Sequence, residues 1–381
     1  MKDPRKVHVE TALAQGLGRM DDQFKGVIPG IHPSTTYERE PDGSYPNGRV
    51  YTRDQNPNYD QAESMLSLME KGEGALLFSS GMSAAVAVFQ ALMPGDHIVA
   101  PKVMYWALRN WLLTFGADMG LQMTFVENGN LDDVKAAVQP GKTKLLWIET
   151  PANPTWAVDD IAAWADIANS VGARLAVDNT VATPILTQPI SLGADIVMHS
   201  ATKYLNGHSD VLAGALITKT NDAFWERIAK VRNAGGAVMG PMEAWLLTRG
   251  MRTLAIRVER ASANAMQIAE SLQSLNNVES VLYPGLPSDA GYEVSASQMS
   301  GGFGGMLSVC IKGGAEEALA VTGRLELFKR ATSLGGVESL VEHRASIEGE
   351  GTPCPQNLLR LSIGIESASD LIDDLKSAID G

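Results

Sequence analysis

The stretch that decides the fold is ADIVMHSATKYLNGHSD, residues 194–210. Its apolar run at 196–198 predicts a buried strand, and hydroxyl side chains and Lys203 follow directly after that strand. The preceding run RLAVDNT predicts a second buried strand that ends in Asp178. Strands that are apolar throughout and separated by helices of ten or more residues indicate a mainly parallel sheet covered on both faces.

The same alternation of strand and helix begins near residue 60 and gives way to long helical stretches, at 221–233 and 241–274, after residue 220. The first 50 residues are rich in Pro and Gly and show no sustained period. We therefore predict an α/β protein with an extended arm at 1–50, a mainly parallel sheet domain at 51–247 and a smaller α+β carboxy-terminal domain at 248–381.

The charge balance and the cysteine count exclude several classes of protein. The chain has 381 residues, 31 basic and 44 acidic, and a net charge of −13. An acidic chain is poorly suited to nucleic acid or to anionic membranes. Its two cysteines, Cys310 and Cys354, are not in a paired spacing. No apolar signal segment or run of membrane-spanning length is present in the sequence, so we expect a cytoplasmic protein.

Polar residues lie where the predicted strands end. In an open parallel sheet, ligands bind beyond the carboxyl ends of the strands. One strand leads through residues 79–82, SSGM, straight into a helix, whose free backbone N–H groups suit a phosphate. A simple turn that needs Gly81 is the alternative interpretation.

Asp178 and Lys203 extend this pattern. A carboxylate at the end of a buried strand needs a cationic or hydrogen-bonded partner. Asp178 could form an ion pair within the protein, cap a helix, or pair with the protonated ring nitrogen of a cofactor. A lysine inside a cleft can become a nucleophile, although most lysines are solvated surface charges. Together with a phosphate site, these two residues describe pyridoxal phosphate.

A rival interpretation comes from another class of enzyme. Ser200 and Lys203 also fit the S-x-x-K pattern of serine acyl-enzymes, but the S-D-N and K-T-G elements that accompany it are not found. The six histidines, including His199 and His208, show no metal-ligand spacing and are interpreted as structural. We therefore predict no metal site.

Longer motifs give a family resemblance over nearly the whole chain. Residues 177–216 resemble the cofactor-lysine region of the trans-sulfuration (Cys/Met metabolism) family of pyridoxal-phosphate enzymes, which includes cystathionine gamma-synthase, cystathionine gamma-lyase and methionine gamma-lyase. Other segments that are similar to signatures of that family are YTRDQNPNYDQAE (51–63), FSSGMSA (78–84), ETPANP (149–154), TSLGGVESL (332–340) and LLRLSIGIE (358–366).

The resemblance implies fold type I, as in aspartate aminotransferase, and pyridoxal 5'-phosphate as cofactor. Lys203 would hold the cofactor as a Schiff base and shuttle protons, Asp178 would pair with its ring nitrogen, and Tyr105 would stack on the ring and assist proton transfer. The full set of expected cofactor-binding residues is Tyr51, Arg53, Gly81, Met82, Tyr105, Asp178, Ser200, Thr202 and Lys203.

The resemblance also implies an assembly. Tyr51 and Arg53 look like the pair that members of this family donate to the phosphate of a neighbouring subunit. A homotetramer built from dimers with shared active sites is therefore expected.

For the substrate, an amino acid, the resemblance implies that Arg360 clamps the α-carboxylate while Asn153 and Ser333 help to orient it. The expected reaction is γ-elimination from a cystathionine-like or other γ-substituted L-amino acid. The alternative is γ-replacement on an O-acylhomoserine, and β-elimination is a third option.

Four positions depart from the family pattern. Trp106 follows Tyr105 where small residues are common, and Arg109 is displaced from the usual position of an arginine that could meet a distal carboxylate. Thr332 stands where several cystathionine enzymes carry glutamate, and Arg344 stands where proline is usual. The first three changes weaken the prediction of cystathionine itself as substrate.

Overall fold

A large sheet forms the centre of the molecule. The computed structural model describes residues 4–21, 23–349 and 354–381, and in this part of the chain the sheet has seven strands in the order β1-β7-β6-β5-β4-β2-β3. Their bounds are β1 Gly74–Phe78, β2 His97–Pro101, β3 Gln122–Val126, β4 Thr143–Glu149, β5 Arg174–Asp178, β6 Ile196–His199 and β7 Gly214–Thr218. Strands β2 to β6 pair in parallel, whereas β7 is antiparallel to both neighbours. The mainly parallel sheet predicted from the sequence is thus confirmed.

Helices cover both faces of this sheet and continue into the carboxy-terminal part. The α-helices are α1 Val9–Ala14, α2 Pro57–Glu70, α3 Gly81–Gln90, α4 Trp106–Trp111, α5 Leu131–Ala137, α6 Ile161–Ser170, α7 Thr183–Leu186, α8 Ala223–Gly235, α9 Pro241–Met251, α10 Leu254–Leu272, α11 Tyr292–Gln298, α12 Gly314–Arg324, α13 Arg344–Glu348 and α14 Ala368–Asp380. Within the described residues, no helix is both long and apolar enough to cross a membrane.

The smaller sheet has the strand order β10-β11-β12-β9-β8. Its strands are β8 Val278–Leu282, β9 Met306–Ile311, β10 Lys329–Arg330, β11 Leu340–His343 and β12 Leu358–Ser362. They pair antiparallel except for β10 with β11. The indole N–H of Trp156, which follows β4, donates to Ser308 Oγ on β9 at 2.8 Å and so ties the two sheets together.

The sheet topology brings the polar strand ends to one edge. Strand β1 runs in the same direction as β6, because each is antiparallel to β7. The carboxyl ends of β1, β4, β5 and β6 therefore meet at one edge of the large sheet, which is where an open parallel sheet binds its ligands.

The segment after Lys203 is fixed by a buried arginine. Arg257 on α10 donates to the backbone carbonyls of Tyr204, at 2.7 Å, and Gly250, at 2.8 Å. Gly207 has φ +71°, and a Cβ there would lie 1.8 Å from Arg257 Nη1. Only glycine allows this close approach without strain. The lysine is therefore attached to a stretch of backbone with little freedom to shift.

Two details differ from the sequence predictions. The helix expected over 241–274 is divided into α9 and α10 at Arg252 and Thr253, and the predicted extended arm contains α1. A single helical period runs through both α9 and α10, so the sequence pattern did not reveal the break. The predicted boundary at residue 248 lies inside α9, and the division into domains remains a prediction.

Candidate active site

A cleft of about 360 Å³ lies at the edge where the strand ends meet. Ten of the twelve predicted site residues line it: Gly81, Met82, Tyr105, Asn153, Asp178, Ser200, Thr202, Lys203, Ser333 and Arg360. The large sheet and its loops supply eight of them, and Ser333 and Arg360 come from the smaller sheet and its loops. Chain segments more than 250 residues apart in sequence thus meet around one cleft.

Lys203 reaches into the cleft as an amine with limited access to water. Its Nζ donates to Ser333 Oγ at 2.7 Å. Burial, and then the positive charge of Arg360, lower the pKa of Lys203 from 10.5 to about 8. About one tenth of this amine is therefore uncharged at pH 7, far more than for an ordinary lysine, and the uncharged form can act as a nucleophile or a base.

Two buried carboxyl groups lie side by side at the ends of β4 and β5. Glu149 and Asp178 are paired residues of these parallel strands. Burial, and then the charge of Asp178, raise the pKa of Glu149 to about 8. Burial also raises the pKa of Asp178, although Thr180 opposes this by donating its hydroxyl and its backbone N–H to Asp178 Oδ1. A cationic group facing Asp178 would relieve this cost of burial.

The opposite wall of the cleft is the amino-terminal end of α3. Ser80 caps this helix through reciprocal bonds with Ser83. A Cβ at Gly81 would lie 2.7 Å from Ser200 Oγ, so the glycine keeps the helix end and the serine hydroxyl in contact. Thr202 lines the same region, but its hydroxyl donates to Ala213 O at 3.1 Å and accepts from Ala213 N at 2.9 Å. In this structure Thr202 thus orders the loop next to Ser200.

Arg360 on β12 is almost fully buried at the other end of the cleft. Its guanidinium donates to Ser333 O at 2.8 Å and to Asn153 Oδ1 at 3.4 Å, and it pairs with Glu342 at 2.7 Å. Its Nε finds no partner among the described residues. Ser333 has φ +84°, a strained conformation for serine that places its carbonyl on Arg360 and its hydroxyl on Lys203.

Two predicted residues lie outside the cleft. Tyr51 is exposed, and Arg53 is close to Asp54 and to the Tyr51 ring. Neither lines the site of its own chain within the described residues. Their expected contact with a neighbouring subunit remains a prediction.

The sequence interpretation assigned no role to four residues that surround the site, namely Glu149, Thr180, Glu342 and Arg344. Glu149 accepts from the backbone N–H of Tyr105 at 2.6 Å and of Asn153 at 3.0 Å. It therefore fixes the two loops that carry these predicted site residues. Its place at a strand end was the signal that could have identified it, whereas nothing in the local sequence joins Glu342 to Arg360.

Comparison with known proteins decides the family. The family model described as Cys/Met metabolism PLP-dependent enzyme matches residues 10–380. The chain belongs to this family. It is thus a pyridoxal-phosphate-dependent enzyme, a lyase or a transferase, as the sequence motifs predicted.

Individual relatives cover almost the entire chain. Cystathionine gamma-synthase of Mycobacterium tuberculosis is 43% identical over 367 residues, which is 95% of this chain and 94% of that protein. Cystathionine gamma-lyase of Bacillus subtilis is 38% identical, over 97% of this chain and 99% of that protein. The crystal structure of metB from Corynebacterium glutamicum has a TM-score of 0.95 at 39% identity and covers 99% of both chains.

The residues of the cleft fit the family's cofactor. The donor set contains an amine with a lowered pKa, a buried carboxylate that forms no ion pair among the described residues, and a capped helix start packed against Ser200. These suit an aldehyde, a protonated ring nitrogen and a phosphate respectively. When bound, pyridoxal phosphate supplies an electron sink for the electron pair released at the α-carbon of an amino acid.

The lowered pKa of Lys203 gives a testable pH dependence. A base whose pKa falls on folding loses its proton at a lower pH in the folded chain than in the unfolded chain. Limiting acetic anhydride, followed by peptide mass spectrometry, measures this for one lysine in the cofactor-free protein. Acetylation of Lys203 is expected to rise with pH with a midpoint near 8 when the chain is folded, and near 10.5 when it is denatured. Equal midpoints in the two states would contradict the burial argument.

Proposed function

We propose that the protein catalyses γ-elimination from an L-amino acid whose γ-substituent is uncharged. The observation that carries this proposal is the lining of the cleft. In the described part of the chain, its charged side chains are Glu149, Asp178, Lys203, Arg344 and Arg360. Asp178 and Lys203 are assigned to the cofactor, and Arg360 is assigned to the α-carboxylate. Glu149 already accepts two backbone N–H groups, and Arg344 is already paired with two glutamates.

The space left for a substrate side chain is bounded by uncharged groups. These include Met82, Trp106, Leu108, Leu334 and Ile347. Arg109, which could have met a distal carboxylate, instead lies 5.2 Å from the centre of the Phe125 ring and outside the cleft lining. A charged tail would lose its hydration there without gaining a charged partner among the residues that the structure describes. In γ-replacement the attacking thiol belongs to a second amino acid, whose amino and carboxylate groups would also have to enter this uncharged space. The lining therefore favours elimination over replacement.

The proposed roles follow from the geometry. Arg360 binds the α-carboxylate, and Asn153 and Ser333 hold that guanidinium in place. Lys203 Nζ accepts the α proton. Burial raises the pKa of Tyr105, so its phenol keeps a proton that can be donated to the departing group. The net reaction adds one water to the amino acid and yields 2-oxobutanoate, ammonia and the protonated leaving group.

The positions of the remaining predicted residues also enter the proposal. Gly81, Met82 and Ser200 would hold the phosphate, with Thr202 ordering the loop beside them. Tyr51 and Arg53 would reach the site of a neighbouring subunit, in a homotetramer located in the cytoplasm. The exposed apolar side chains of the arm, including Phe24, Val27 and Val50, support such an assembly.

Product analysis tests the proposed reaction. The cofactor-loaded enzyme is offered L-methionine, L-cystathionine, L-canavanine and O-succinylhomoserine in turn, with and without L-cysteine. We expect release of 2-oxobutanoate without added thiol and a higher kcat/KM for methionine than for cystathionine, because only cystathionine has a doubly charged tail. If only O-succinylhomoserine reacts, and cysteine diverts it to cystathionine, the enzyme is a synthase and the proposal is wrong.

A further inference from the structure

A buried cluster of four charged groups lies behind the substrate end of the cleft. It consists of Arg344, Arg360, Glu342 and Glu348, of which the two arginines and Glu342 are each less than 8% exposed. Glu342 and Arg360 are directly opposite each other on the antiparallel strands β11 and β12. Arg344 is the first residue of α13 and also lines the cleft.

One carboxylate oxygen joins the two arginines. Glu342 Oε2 lies 2.7 Å from Arg360 and 2.9 Å from Arg344. Arg344 also donates to Glu348 at 2.7 Å and 3.2 Å through two of its nitrogens. The cluster therefore carries two positive and two negative charges, and Arg344 contacts both of the negative ones.

Glu342 is close enough to Arg360 to compete with a substrate carboxylate, and Arg344 offsets its charge. A buried arginine needs a counter-ion, but a carboxylate held permanently on Arg360 competes with a carboxylate that arrives with the substrate. Without Arg344, the remaining cluster of Arg360, Glu342 and Glu348 would carry a net charge of −1. A substrate carboxylate would then be repelled in a region where charges are poorly screened.

We propose that Arg344 is a positioning residue that neutralises Glu342 and Glu348, so that Arg360 keeps its affinity for the α-carboxylate of the substrate. The inference rests on the proposed role of Arg360. It adds a second arginine, held entirely by protein carboxylates, to the determinants of substrate binding. The guanidinium of Arg344 acts through the cluster and does not itself bind the substrate.

The test uses equilibrium binding to the cofactor-loaded enzyme, followed by the absorbance of the bound cofactor. L-Alanine has no γ leaving group, so its titration measures binding whether or not the protein catalyses γ-elimination. L-Alaninamide is the matched probe that lacks the carboxylate. For Arg344→Met, we expect the dissociation constant of alanine to rise about tenfold, equivalent to about 1.4 kcal/mol, and that of alaninamide to change less than about threefold.

Charge compensation separates this role from a merely structural one. The double variant Arg344→Met/Glu348→Gln again has one negative charge for one positive charge, and it is expected to recover most of the alanine affinity. Arg344→Lys is expected to retain most of it as well. Arg360→Met gives the reference for complete loss of the carboxylate contact. Equal weakening of alanine and alaninamide in Arg344→Met, or a double variant as weak as the single one, would overturn the proposal.

Failure of this inference is distinguishable from failure of the proposed function. If Arg360→Met changes the dissociation constants of alanine and alaninamide by the same factor, Arg360 does not bind the α-carboxylate. If Arg360→Met loses alanine alone while Arg344→Met loses neither probe, only the role of Arg344 is wrong. With the substrate found in the product screen, Arg344→Met is also expected to raise KM and leave kcat within about threefold.

Discussion

Lys203→Ala is expected to lower kcat by about four orders of magnitude. The variant loses both the amine that would hold the cofactor and the base that would accept the α proton, and general base catalysis alone contributes about 10²–10⁴. The effect should appear in kcat measured by release of 2-oxobutanoate. Because Arg360 is held by the Ser333 carbonyl and by Asn153, the substrate carboxylate should still bind.

Two comparisons make this result specific. Lys219→Ala removes an exposed lysine beyond the end of β7 and should leave kcat unchanged. Addition of methylamine should restore part of the activity of Lys203→Ala, since a small amine can enter the space that the side chain leaves. Activity of Lys203→Ala within tenfold of the unmodified enzyme would refute the assignment of Lys203.

Asp178→Asn is expected to lower kcat by about three orders of magnitude while leaving the cofactor-free fold at least as stable. A buried carboxylate facing the ring nitrogen of the cofactor would keep that nitrogen protonated, which a neutral amide cannot do. The amide oxygen can still accept both bonds from Thr180. The variant thus keeps the local geometry and loses only the charge.

The unmodified chain and Asp178→Asn are expected to differ in how their stability depends on pH, and the sign of that difference follows from the pKa of Asp178. The pKa of Asp178 is raised in the folded chain, so the folded chain binds more protons than the unfolded chain above pH 3.8, and stability falls as pH rises. Asp178→Asn removes this penalty. The free energy of unfolding of the variant, measured in urea, is therefore expected to exceed that of the unmodified cofactor-free chain by more at pH 8 than at pH 5.

Asp160→Asn is the control, because asparagine caps the start of α6 as well as aspartate does. It should change neither kcat nor this pH dependence. Substantial activity in Asp178→Asn, or a loss of stability that does not vary with pH, would show that Asp178 serves the fold and not the cofactor.

The sequence was sufficient to predict one edge of the large sheet. Asp178 and Lys203 each follow an apolar run, and parallel strands bring their carboxyl ends together, so periodicity alone predicted that these side chains are neighbours. Gly81 was predicted in the same way, from a turn that leads from a strand into a helix.

The smaller sheet was less predictable. Arg360 was assigned through family resemblance, since its position in the middle of an apolar strand, LLRLS, gives no local reason for a charge. Glu342 becomes its partner only through the antiparallel register of β11 and β12. Similarly, the orientation of Arg109 toward Phe125 depends on how α4 packs against β3, which no spacing in the sequence indicates.

The meeting of two sheets at Lys203 and Ser333 has an evolutionary consequence. The residues of this cleft that would hold the cofactor lie between Gly81 and Lys203, whereas Thr332, Ser333, Glu342, Arg344 and Arg360 lie in a separate later stretch. Substitutions at uncharged cleft residues of that later stretch, such as Thr332 and Leu334, can change which amino acid is accepted while Lys203, Ser333 and Arg360 stay in place. Such a gene can acquire a new substrate by steps that never pass through an inactive ancestor.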